Sequence, residues 1–424
     1  MIMNQAIKKR IEDINNGIVP EGYKQTPFGI FPCDWETTSI GEVSINKGEY
    51  GLNAPACEYE SGLPKYIRIT DIDANGNYVD TGACVDFQDV TKQYTLKEGD
   101  VVFARTGATV GRNYLYKEKD GELLYAGFLI KFSINKNVAN PYIIYANSNT
   151  KQYWNWIKKI SARSGQPGVN AEEYSQYRFV KAKDKVEQVK IAEILMTWDE
   201  MIELQEQYIQ KLELRKKAIM KKLLTPKDGW EKYKLFELVI SMSSGGTPST
   251  KITEYYDGDI VWVSIDDMSR AGKYIAYSAR KLTDLGLKNS SAKLFPEQTI
   301  LYAMYASIGK TVISTVPCAT SQAILGIIVN QEKLDNQYLY YYLLNMQDKI
   351  VLQGQKGTQA NLNKEMVEKF DISLPKDLDE QKNISRILMN LDEEISLQKE
   401  KLEKIKIQRK AMQQYLLTGI VRVS

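Results

Sequence analysis

The chain is written twice, and this duplication constrains its fold more than any other feature of its 424 residues. Residues 187–225 align without a gap on residues 380–418, with roughly 17 of about 39 positions identical, far above chance for an ungapped match. The first copy begins EQVKIAEILMTWDEMIELQ and the second EQKNISRILMNLDEEISLQ, and both end in Leu-Leu-Thr. Each reads as one long helix with a heptad seam. The first seam runs from Ile191 and Leu195 through Gln205 and Lys216 to Leu223. The second runs from Ile384 and Leu388 through Gln398 and Arg409 to Leu416. The polar interruptions fall at matching places: either they fix the register of the helices or they are tolerated near solvent. At 1.5 Å per residue such helices span roughly 58 Å, longer than a typical globular helix. Neither can bury its stripe alone, so the two are expected to pair with one another.

The repeat continues more faintly before each helix. Trp35-Glu36 is echoed by Trp230-Glu231, and the run from Tyr66 to Ile72 by that from Trp262 to Met268. Glu98-Gly99-Asp100 matches Glu297-Gln298-Thr299, and both copies run on to a Gly-basic pair, Gly111-Arg112 and Gly309-Lys310. A later loop, 165–170, answers 357–362. The alternating runs 123–134 and 324–330 predict strands, and helices are expected at 141–160 and 337–353. The fold class is α+β, with two pseudo-repeated mixed α/β heads and all-α connectors. The globular parts have diverged while the helices have not, which suggests different targets held on a common frame.

Composition narrows the chemistry. The chain has no histidine, which removes imidazole bases, His-assisted nucleophiles and His-ligated metals. Its four cysteines are scattered without a Cys-x-x-Cys pair, so buried thiols are expected rather than a disulfide framework or zinc site. No apolar run approaches the length of a membrane helix and the N-terminus has no secretory pattern, so the expected compartment is the cytoplasm and no membrane partner is expected. The net charge of only +3 lends little support to nucleic-acid binding by itself. Ser307-Ile308-Gly309-Lys310-Thr311 mimics the end of a Walker A loop, but Met304 stands where the leading glycine belongs. Asp266 and Asp267 are expected in turn and hydrogen-bond duty rather than at a metal, and the Tyr338–Tyr342 cluster in core packing rather than base stacking.

Taken together, these residues resemble a known family. The TPSTKITEYYDGDIVWVSIDDM run, the Ala306-Ser307-Ile308-Gly309-Lys310 loop, the GTQANL loop and the EQxxIxxIL helix starts are similar to those of the specificity subunits of type I restriction–modification enzymes. The resemblance covers essentially the whole chain, and the order of head, helix, head, helix is its specific part. It implies two target-recognition domains joined by two long antiparallel coiled-coil helices. The expected divisions are a helical lead-in over 1–25 that packs against the C-terminal helix, a first target-recognition domain over 26–186, a central spacer helix over 187–225, a second domain over 226–379 and a C-terminal spacer helix over 380–424. It also implies that each head reads half of a bipartite double-stranded DNA target. The partners would be two modification subunits and, in restricting systems, two restriction subunits. It implies no cofactor in this chain: S-adenosylmethionine, ATP and Mg are used by partner subunits.

Candidate DNA contacts are Arg105, Thr106, Thr109, Arg112, Gln166 and Asn170 in the first half. In the second half they are Tyr305, Ser307, Lys310, Thr358, Gln359 and Asn361. Glycines there allow close approach, hydroxyls and amides can bond phosphates or adenine edges, and cations can meet phosphate or guanine. The alternative is a structural turn with solvated bases. The acidic positions shared by the helices, Asp199 and Glu200 with Asp392 and Glu393, are either a solvated face or a partner-docking surface. No residue is assigned to catalysis, cofactor or metal. The rival readings are a detached reader of another restriction enzyme type, a nuclease in its own right, and a coiled-coil adaptor without DNA contact. Cleavage or methylation by the purified chain alone would favour an enzyme.

Overall fold

A computed structural model describes residues 5–58, 62–85, 91–162, 168–356 and 361–423. The chain forms two compact units, Met1–Leu204 with Leu402–Ser424, and Gln205–Lys401. Each has mixed helix and sheet, and their sheets repeat one plan.

In the first unit the strands Glu49–Tyr50, Leu129–Ser133, Asp100–Ala104 and Asn113–Leu115 form one antiparallel sheet. A second sheet orders Leu123–Tyr125, Lys65–Ile67, Ala83–Cys84 and Cys57–Glu58, its first pair parallel. In the second unit Val239–Ser244, Ile324–Val329, Ile300–Ala303 and Thr311–Ser314 repeat the first sheet, with Tyr274–Ile275 added at its edge. Tyr256–Val263 lies parallel to Cys318–Thr320, as Lys65–Ile67 does to Leu123–Tyr125. The expected strand over 123–134 is in fact two strands in two sheets, because the chain turns at Gly127, where the Leu129 amide donates to the Ala126 carbonyl (2.8 Å).

The duplication extends to the backbone torsions. Gly99 and Gln298 both have positive φ (94° and 64°), as do Gly107 and Ala306 (75° and 59°) and Gly111 and Gly309 (90° and 80°). Only glycine adopts this region freely. At the first two of these positions the second copy holds the same turn with a side chain present. The helices after the first sheet differ. The first copy breaks into Pro141–Asn147 and Lys151–Ser161, where Thr150 caps the second piece and Asn113 donates to the Ser148 carbonyl (2.8 Å). The second copy continues through Asn336–Lys356.

A two-stranded ribbon leads into each long helix. Trp35–Ser39 pairs with Arg178–Ala182 before the helix Lys185–Leu223, and Glu231–Lys234 pairs with Asp371–Leu374 before Leu378–Leu417. Each helix contributes to both units. In the first unit, Ile191 and Leu195 share a core with Leu416 and Leu417. In the second, the Gln205 amide donates to the Gln398 side chain (2.9 Å), Lys216 pairs with Asp392, and Glu213 pairs with Lys399. These contacts run antiparallel. Of the seam positions, Ile209, Leu212, Ile395, Leu402 and Ile405 are also buried. The seam glutamines thus meet across the pair of helices, with Gln205 donating to the side-chain oxygen of Gln398. Among the described residues the lead-in is helical over Gln5–Asn15 and passes into the strand Tyr23–Thr26. Arg10 of the helix donates to the Ile420 carbonyl (2.6 Å), and Tyr23 of the strand to that of Gly419 (2.7 Å).

One buried side chain fastens each helix to its head. The Gln188 amide donates to the Ala182 carbonyl (2.8 Å), and its oxygen accepts from the Asn140 backbone (2.9 Å). Gln381 does the same with Pro375 (3.0 Å) and Asp335 (2.9 Å). Both glutamines are almost fully buried. An apolar replacement would strand a backbone donor and acceptor, and each unsatisfied group costs about 1–3 kcal/mol. Gln381→Leu is therefore expected to lower stability by roughly 2–4 kcal/mol, measured as a drop in the urea midpoint followed by helix circular dichroism.

Candidate nucleic-acid interface

In the first unit the strand Asp100–Ala104 ends in the loop carrying most of the sequence candidates. The Val169 amide donates to the Arg105 carbonyl (2.9 Å), and Thr106 bridges to Gly168. The Arg105 amide in turn donates to the Phe128 carbonyl (3.0 Å). Three distant segments thus converge at Arg105. Its guanidinium lies 4.8 Å from the centre of the Tyr50 ring, and its Nε has no hydrogen-bond partner among the described residues. An open cleft here is lined by Arg105, Thr106, Asn170 and Glu173, among others. Tyr50 and Phe128 are 43% and 57% exposed, far from the usual burial of large aromatics. Neither figured among the sequence candidates, because only the pairing of Tyr50 with Ile130 and the turn at Gly127 bring them to Arg105.

Other candidates are committed within the fold. Arg112 donates to the Ile72 carbonyl (2.7 Å), tying the loop to the preceding segment. Thr109 Oγ1 is buried without a partner among the described residues. Asn170 caps the short helix Ala171–Ser175, its side-chain oxygen accepting from the Glu173 amide (2.9 Å), which leaves its own amide group for other partners. Gln166 lies outside the described residues, as do Thr358 and Gln359.

The second unit builds the same junction from other side chains. The Leu362 amide donates to the Met304 carbonyl (3.1 Å), and the Met304 amide to that of Ala323 (2.9 Å). The position of Arg105 is thus held by the buried Met304, and that of Phe128 by Ala323. Lys310 matches Arg112 in role as well as place. Its Nζ donates to the Ala271 carbonyl (3.0 Å), and burial lowers its pKa. Gly111 and Gly309 precede these cations because an added Cβ would strike Ile157 and Gln347, each at 2.9 Å. Tyr305 is exposed, Ser307 lies 3.3 Å from the Ser269 hydroxyl, and Asn361 is exposed. The sequence pairing of 165–170 with 357–362 is one residue out of register at its end. The hydrogen bonds match Val169 with Leu362, so Asn363, which caps Lys364–Glu368, is the counterpart of Asn170. Asp266 pairs with Arg270. Asp267 accepts from the Ala279 amide (2.9 Å) and caps its own helix, so both acids serve the local turn.

The acidic positions shared by the helices divide in two. Asp199 is ion-paired with Arg409 (2.8 Å) and accepts from Tyr142, while Asp392 pairs with Lys216 and accepts from Tyr341 (2.5 Å). Glu200 and Glu393 are exposed. Beside Asp392, Lys273 donates to the Tyr341 hydroxyl (3.0 Å) and sits 4.4 Å and 5.1 Å from the Tyr341 and Tyr340 ring centres. Burial pulls Lys273 down to about 8, against the opposing pull of Asp392. No helix among the described residues is long and apolar enough to cross a membrane.

The profile of the type I restriction modification DNA specificity domain matches residues 32–214 and again 227–407. It spans most of the chain, and the chain belongs to this family. It is 25% identical to the MjaVIII type I restriction enzyme specificity subunit of Methanocaldococcus jannaschii, over 96% of this chain and 98% of that one. It is also 29% identical to the EcoprrI specificity subunit of Escherichia coli, over 35% of this chain and 39% of that one. Among solved structures, a chain of a type I restriction–modification assembly matches with a TM-score of 0.60 at 16% identity, over 92% of this chain and 99% of that one. The S subunit from M. genitalium matches at 0.55 and 13%, over 90% and 96%. These structures share the fold.

The Lys273 box carries a titration test. The folded state favours neutral Lys273 above about 8, whereas the unfolded chain holds its proton up to the ordinary lysine value of 10.5. Unfolding therefore takes up a proton in this window, and raising the pH makes that uptake costlier. Between pH 8 and about 10, where exposed tyrosines begin to ionise, wild type is expected to gain stability relative to Lys273→Met. Parallel stability curves from urea titrations at several pH values would contradict this.

Proposed function

We propose that this chain is the non-catalytic reader and scaffold of a type I restriction–modification complex, each unit reading one half of a bipartite DNA target. The supporting observation is that both units join the same two loops by the same backbone hydrogen bond but place unlike side chains there. In the first unit Arg105, stacked on Tyr50, directs its guanidinium edge to guanine O6 and N7, and Phe128 meets an apolar feature such as a thymine methyl. Thr106, Gln166 and Asn170 supply neighbouring polar contacts, with Arg112 holding the loop and the buried Thr109 hydroxyl inside it. In the second unit Tyr305, Ser307, Thr358, Gln359 and Asn361 take that part, with Lys310 holding the loop. Glu173 on the cleft disfavours phosphate, which suits a base edge better than the backbone.

The long helices act as an antiparallel coiled-coil spacer, with Gln205 and Gln398 setting the register. Two modification subunits bring S-adenosylmethionine and dock on the helices around Glu200 and Glu393. Restriction subunits, where present, bring ATP- and Mg-dependent cleavage. In the assembled complex, Arg105→Ala is expected to weaken cognate DNA binding by about 10–100-fold, the worth of one bidentate base contact, and to relax sequence preference in one half-site only. Competition binding against half-site variants reads both effects. Equal relaxation of the two halves, or no loss, would overturn the assignment.

A further inference from the structure

The second sheet of the first unit ends in a two-residue edge strand, Cys57–Glu58, paired with Ala83–Cys84. Cys57 and Cys84 stand directly opposite one another in that register, with their Sγ atoms 3.1 Å apart. Directly opposed residues of antiparallel strands have Cα atoms about 4.5–5.5 Å apart, inside the range of about 4.4–6.8 Å that a disulfide spans. The two thiols need only a small side-chain rotation to reach bonding distance. Their exposures also differ usefully. Cys57 is half-buried, whereas Cys84 is fully buried, and its Sγ lies 2.8 Å from the Glu58 carbonyl. Cys33 is exposed and Cys318 is buried, neither with a cysteine opposite it in the strand pairings.

We infer that Cys57 and Cys84 form a convertible dithiol, a disulfide site built into the edge of the first head. The oxidant is a low-molecular-weight disulfide of the glutathione class. The Cys57 thiolate attacks one of its sulfurs, forming a mixed disulfide and releasing one small thiol. Cys84 then attacks the Cys57 sulfur, forming the Cys57–Cys84 bond and releasing the second small thiol. Two electrons pass from the protein sulfurs to the reagent, and the two thiol protons end on the released small thiols. The bond staples an edge strand that lies a few residues beyond Tyr50, and so ties down the chain leading out of the Arg105 cluster.

The test treats the full-length reduced protein with oxidised glutathione, quenches with acid, alkylates free thiols and maps peptides without reduction. The expected product is a single cross-linked pair carrying Cys57 and Cys84, lighter by two hydrogen atoms, with Cys318 alkylated and Cys33 alkylated or glutathione-bound. Cys84→Ser is expected to trap glutathione on Cys57. Should that buried substitution prevent folding, Cys57→Ser serves instead and is expected to leave Cys84 unoxidised and alkylated only after denaturation. A lasting glutathione adduct on Cys57 in the wild-type protein, or Cys57 and Cys84 both alkylated throughout, would overturn the inference.

Discussion

Two helices of about forty residues each carry an apolar stripe that no single head covers, and the architecture answers to where those stripes are buried. In each unit a stretch of one helix lies against a stretch of the other, and the polar seam positions meet partners rather than solvent: Gln205 with Gln398, Arg409 with Asp199, Lys216 with Asp392. A buried amide or charge left alone would destabilise the seam, whereas a matched one also discriminates against a shifted register. Gln188 and Gln381 then bind each helix start to a strand end, so head and helix share one set of buried hydrogen bonds.

This explains why the helices have kept their sequence while the heads have drifted. A change at a seam position must be met by its partner on the other helix, which ties both copies together. The loops face a weaker constraint. Their backbone junction needs only the amide–carbonyl pair between Val169 and Arg105, or Leu362 and Met304, and it accepts arginine or methionine at the crossing. Positions whose backbone is fixed and whose side chains are free are where a reader can change what it reads. The Gly-basic pairs belong to the fixed part, since Arg112 and Lys310 each hold a carbonyl of the preceding segment.

Much of this was legible in the sequence because duplication gave every reading an internal control. The helices, their seam and the match of two loops in one head to two in the other could be read from the repeat alone. Three things could not. Tyr50 and Phe128 join Arg105 through sheet pairing and a turn at Gly127, long-range effects that local pattern does not encode. The slip that hid Asn363 as the partner of Asn170 arose because the loop before it has diverged, and only the shared hydrogen bond fixes the register. The shared acids Asp199 and Asp392 stand out in the sequence only as a solvated face or a docking surface, because their partners lie on another helix and in the head. A signal was available for both: Arg409 and Lys216 already stood at equivalent seam positions.

One chain carrying two independent readers on a common frame leaves a bipartite mark on the DNA it serves. Mapping methylated adenines across the genome of a host carrying the complex tests it most directly. Two unlike, specified blocks separated by a constant stretch of unspecified bases are predicted. A contiguous motif, or methylation with no shared sequence, would contradict the account.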